Sequence, residues 1–174
     1  MDDSFFIYIE RLELMAFFSG YPLIFLAVRV IAAPLQARGI TRMNIASLLP
    51  FAYAVVGLLY LGLQLKNLYP VYSFDNIKLL TGDPYLKTWA LLSLLFFIPV
   101  FAKKTVLSLF HSLVFFYFIV RDFFRHFFFH ADNNILQNDM HIYSRSLLIN
   151  LAAFVVMVFF YFLLAVLKKT KAGS

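Results

Sequence analysis

Residues 121–132 read RDFFRHFFFHAD, the densest run of chemistry-bearing side chains in the chain. Continued as a helix, this run puts Asp122, His126 and His130 at intervals of four, on one face. Two imidazoles one turn apart can ligate a single divalent metal, with the carboxylate as third ligand or as the acceptor that orients an imidazole. His141 and Asp132 are available to complete such a set. A solvated polar face beside an aromatic, membrane-facing one has the same spacing, so metal ligation and plain solvation both stay open, and the pattern requires no cofactor. Arg121 and Arg125, one turn apart in the same run, suit lipid phosphates or a pairing with Asp122.

His111 is the ionisable group inside an apolar stretch, with Ser108 and Ser112 at neighbouring helical positions. Such a residue can relay a proton or bind a metal, and it can equally be a neutral imidazole hydrogen-bonded within a packed interior. Asn150 is the amide at a comparable depth in the last apolar run, on a stripe with Ser146, Ala153 and Met157. A second stripe joins Tyr53, Gly57, Tyr60 and Gln64, continuous with Ala46 and Pro50. Small residues let helices approach closely, and tyrosine or amide groups in lipid need partners from another helix, so both stripes are expected to be helix-packing seams.

The elements that must hold these residues are set by composition. The chain has 174 residues, 63% hydrophobic and 14% charged, where water-soluble domains have about 45–50% and about 25%. A soluble enzyme and a disordered chain are excluded. Zero cysteines exclude thiolate ligands, cysteine nucleophiles and disulfide frameworks. The P-loop, HExxH, nucleophile-elbow and dinucleotide-binding glycine patterns are all missing, which points away from an enzyme. The net charge of +6 is divided among short loops, which suits anionic lipid and not nucleic acid.

A bilayer core about 30 Å thick needs about 20 apolar residues per helix. Five candidate spans result, at about 12–33, 46–65, 88–102, 105–120 and 146–167, with no sign of a second domain in residues 1–174. The expected fold is therefore all-α, a polytopic bundle of five transmembrane helices, the third and fourth short and joined by a tight turn at Lys103-Lys104. Pro22 predicts a kink near Gly20-Tyr21-Pro22. Tyr69, Tyr72, Phe74, Tyr85 and Trp89 are expected at headgroup level, with a turn at Gly82-Asp83-Pro84.

Five crossings put the two termini on opposite sides. Arg29, Arg38, Arg42, Lys103, Lys104, Lys168, Lys169 and Lys171 then share one face that holds no acidic residue, while every Asp and Glu falls on the other. Basic density in short loops marks the cytoplasmic side, so the C-terminus is expected there and the N-terminus outside. Asp2 and Asp3 give the start of the chain the wrong sign for a cleaved signal peptide, so the first span is expected to be retained. The chemistry leaves three functional expectations: an accessory, scaffold or regulatory subunit acting with copies of itself or other membrane subunits; a metal- or proton-handling protein; and an oligomeric channel or carrier.

Overall fold

The computed structural model describes residues 3–37, 45–70, 84–129 and 133–172, and every element among them is helical. The elements are α1 (Asp3–Phe18), α2 (Tyr21–Ala37), a 3-10 turn (Ile45–Leu48) leading into α3 (Leu49–Asn67), α4 (Pro84–Leu92), a 3-10 segment (Ser93–Phe97), α5 (Pro99–Ala102), α6 (Thr105–Phe129) and α7 (Asn133–Ala172). Four helical stretches are long and apolar enough to cross a membrane: Tyr8–Pro34, Ile45–Asn67, Thr105–Arg125 and Met140–Lys168.

The first of these is discontinuous. Helical hydrogen bonding stops at Ser19–Gly20 and restarts at Tyr21, with Pro22 in the first turn of α2, where its missing N–H leaves no bond unmade. Breaking a helix in an apolar medium strands backbone groups, and here α7 supplies their partners. The Gly20 N–H donates to Ser146 Oγ at 2.8 Å, and Asn150 Nδ2 donates to the Phe17 carbonyl at 2.7 Å and to the Ser146 carbonyl at 2.8 Å. Ser19 Oγ bonds back to the Met15 carbonyl. The stitch needs close backbone approach: a Cβ on Gly20 would lie 2.6 Å from the Leu147 nitrogen and 2.7 Å from the Ser146 carbonyl carbon.

Two spans differ from their expected form. The fourth is not short, because α6 continues through Arg121 and Arg125 to Phe129, 25 residues in all. Its mixed aromatic and charged end is helical by continuation of an established helix, which costs far less than starting one. The short run at 84–102 is broken in two places. After α4 it tightens into a 3-10 segment, and Ile98 then turns extended (φ −79°, ψ 124°) because the following Pro99 disfavours a helical conformation there. Lys103 and Lys104 follow, with Lys104 N–H bonded to the Phe101 carbonyl and Leu107 N–H to that of Lys104 as α6 begins. The expected turn at Gly82-Asp83-Pro84 and the rings Tyr72 and Phe74 involve residues 71–83, which lie outside the described residues.

The core is an aromatic cluster beside the break. Phe18 is fully buried, stacks on Phe115 at 4.8 Å between centroids and meets Tyr53 and Tyr60 edge-on at 5.7 Å each. Tyr21 lies 4.4 Å from Tyr53. Such pairs contribute about 0.5–1.5 kcal/mol each beyond burial. The outer surface is the reverse of a soluble protein's: Val30, Phe110, Leu148, Phe159 and Phe162 are all more than half exposed, a surface that lipid covers without cost.

The close approach yields a contrast within the chain. Gly20→Ala is expected to lower stability by about 1–3 kcal/mol, the usual penalty for overpacking. Gly62→Ala, where an added Cβ meets nothing within 4 Å, is expected to be neutral or slightly stabilising, as alanine is the better helix former. Denaturation in mixed micelles, followed by circular dichroism, measures both.

Candidate functional site

His111 stands at the meeting point of three elements. It projects from α6 two turns after Thr105; Tyr53 reaches it from α3, and Trp89 covers it from α4. The Tyr53 hydroxyl and His111 Nδ1 are 2.9 Å apart. The indole of Trp89 stacks on the imidazole with centroids 4.6 Å apart and planes 6° from parallel, and its Nε1–H donates to the His111 carbonyl at 3.0 Å. Phe96, from the 3-10 segment, meets the same ring nearly edge-on at 5.9 Å.

The hydrogen-bond inventory assigns the tautomer. Tyr53 is fully buried, and its hydroxyl proton needs an acceptor. Nδ1 is that acceptor if the neutral ring carries its proton on Nε2, which leaves one group unmet, the Nε2–H; the opposite tautomer would leave two, the tyrosine proton and the Nε2 lone pair. Nε2 is buried, and it has no hydrogen-bond partner among the described residues. An unmet buried donor costs about 1–3 kcal/mol. The serines flanking His111 do not meet it: Ser108 Oγ bonds Tyr21 Oη at 2.7 Å and the Thr105 carbonyl at 2.7 Å, and Ser112 Oγ bonds the Leu109 carbonyl at 2.7 Å.

Beside this ring lies a cavity of about 310 Å³. His111 and Trp89 line it together with Leu92, Leu95, Phe96 and Phe110. Several of these walls also form the outer surface, Phe110 at 63% exposed and Leu95 at 38%, so the cavity opens at the surface of the protein.

The remaining sequence candidates separate into three groups. Tyr53, Gly57 and Tyr60 are buried and Gln64 half-buried, with Gly57 so close to Ser93 that a Cβ there would overlap its hydroxyl. Gln64 Nε2 donates to Glu13 at 2.8 Å, and near it Lys87 lies 3.1 Å from the buried Glu10. Arg121 sits over the Phe118 ring at 5.4 Å, with Arg11 over the same ring at 4.7 Å, while Arg125 is exposed. Asp122 and His126 belong to α6, but their side chains, together with His130 and Asp132 entirely, lie outside the described residues, and His141 is exposed on α7. Among the described residues, no three His, Asp or Glu side chains form a group able to hold a metal.

Sequence reasoning did not find the Trp89–His111 stack, the Tyr21–Ser108 bond or the Glu10–Lys87 pair. The expectation for Trp89 named a depth and no neighbour; its N–H donates to a backbone carbonyl of α6. The only signal available was that a buried histidine needs neighbours. Comparison with protein-family models, curated proteins and solved structures finds no match. The chemistry of this site therefore rests on its own geometry.

Asn150→Ala is expected to cost about 1–2 kcal/mol, since it removes an interhelical bond and leaves the Phe17 carbonyl unmet. Ser146→Ala removes the other half of the same stitch, and the double variant is expected to lose less than the sum of the two. Additive losses in a double-mutant cycle would show that the two bonds act independently.

Proposed function

We propose that the chain crosses the bilayer five times, N-terminus outside and C-terminus in the cytoplasm, and acts as a non-enzymatic accessory or scaffold subunit of a larger membrane assembly. The third crossing is Pro84–Ala102. A 3-10 stretch rises about 2.0 Å per residue against 1.5 Å for an α-helix, so with the extended Ile98 these residues span roughly 30 Å, near the hydrocarbon thickness. Lys87 at one end and Lys103-Lys104 at the other bracket the segment with charge.

The observation that carries the scaffold reading is the form of α7. Its middle is held at the break in the first span, but Phe159 to Lys168 are exposed on every face. A quarter of this 40-residue helix, about 15 Å of its length, thus has no packed face among the described residues. That leaves an apolar surface for a second copy or another membrane subunit, with the basic residues of the chain against anionic headgroups. The interior polar groups meanwhile stitch helices together and form no nucleophile, acid and base constellation among the described residues.

Two measurements test this. The chain has no native cysteine, so single cysteines at Asp83 and Gly173 can be labelled with an impermeant maleimide. Labelling of position 83 from outside, and of 173 only after permeabilisation, is expected; labelling of both from the same side would overturn five crossings. In mild detergent the protein is expected to run as a complex well above its 20.2 kDa mass, and Phe159→Ala/Phe162→Ala to shift it toward the monomer. A wild-type protein that is strictly monomeric would overturn the scaffold role.

A further inference from the structure

We propose that the cavity beside His111 binds a membrane-dissolved molecule carrying a carbonyl oxygen on an apolar body, such as a quinone ring or an acyl ester, with His111 Nε2–H donating to that oxygen. This goes beyond the scaffold reading and shares with it only the premise that the protein lies in a bilayer.

Three observations converge on this ligand class. The tautomer set by the Tyr53 hydroxyl makes Nε2 a donor, and that donor is buried and unmet by protein. A bilayer interior has no bulk water to meet it, which leaves a molecule of the lipid phase as the partner the site can recruit. The cavity, at about 310 Å³, falls at the lower end of ligand-site volumes, about 300–1,000 Å³. Its leucine and phenylalanine walls supply no charge, which excludes a free anion or a metal ion and leaves an apolar body. Its opening at the protein surface admits a molecule already dissolved among the acyl chains. His111 lines the chamber, and a neutral donor beside an apolar space is complemented by a carbonyl, the acceptor most readily carried into lipid.

The position of Trp89 also reports on the site. It is the only tryptophan in the chain, it lines the cavity and it stacks on His111. The test titrates the purified full chain, in lipid nanodiscs, with a decyl-substituted benzoquinone and follows tryptophan emission. Saturable quenching is expected, with the dissociation constant raised at least tenfold in His111→Phe, which keeps a ring but removes the donor. Leu92→Phe, which fills the cavity and leaves the Tyr53–His111 bond intact, is expected to weaken binding similarly, and it decides the matter alone if His111→Phe does not elute as a single species.

A non-quenching monoacylglycerol competes in a parallel arm. Displacement of the quinone identifies acyl esters as ligands of the same site; failure to displace assigns it to the quinone ring. Quenching that rises linearly with concentration and is the same in the variants would overturn the proposal. Equal competition by decylbenzene, which has the apolar body without the carbonyl, would also overturn it. Retention of the chain in the membrane pellet after alkaline extraction checks the bilayer premise separately.

Discussion

The structure depends on one constraint: within hydrocarbon, a backbone group released from its helix must find a partner in the protein. The first span breaks at Ser19–Gly20, and both sides of the break are repaired by a single helix more than a hundred residues later. Ser146 accepts the Gly20 N–H and Asn150 donates to the Phe17 carbonyl. That requirement sets the distance between the first span and α7, since the two bonds form only where Gly20 lets the backbones nearly touch. Once the break is seated, the ring of Phe18 is directed inward, and the aromatic cluster assembles around it.

The same logic explains the rest of the polar interior. Tyr21 and Tyr53 each carry a hydroxyl into the apolar centre, and each meets a side chain of α6, Ser108 and His111. These bonds set the rotation of α6 about its axis, because Ser108 and His111 must face α2 and α3 while Phe110 and Leu113 face outward. The interrupted segment 84–102 then closes over α3, with Ser93 against Gly57 and Phe96 against Tyr53. Its irregular shape leaves the chamber beside His111 unfilled. A regular helix would bring its side chains past this point in even rows; the 3-10 turn and the extended Ile98 do not.

How much of this was legible in the sequence differs from element to element. The break in the first span was readable from Gly20 and Pro22, because both act on the backbone locally. The stripe through Ser146 and Asn150 was readable as a set of residues needing partners, although the identity of those partners was not. The fourth span was ended near residue 120, with a helix continuing beyond it left as an open reading that the structure bears out as far as Phe129. Arg121, Asp122 and Arg125 look like the end of a span, yet charges at a membrane surface do not stop a helix that is already formed. Trp89 was placed by its chemistry as an interfacial ring, a rule about averages that says nothing of a particular neighbour.

The sequence by itself determined that this chain is helical, with runs long and apolar enough to cross a membrane, and where charge leaves those runs. Those properties follow from hydrocarbon excluding charge and unmet backbone groups, which acts on each segment separately. Only the tertiary structure decided which helix repairs the break, which ring covers His111 and which of its nitrogens is left without a partner. Those outcomes depend on distances between residues 22 to 133 positions apart, and side-chain hydrogen bonds and ring contacts act over a few ångströms that no local pattern encodes.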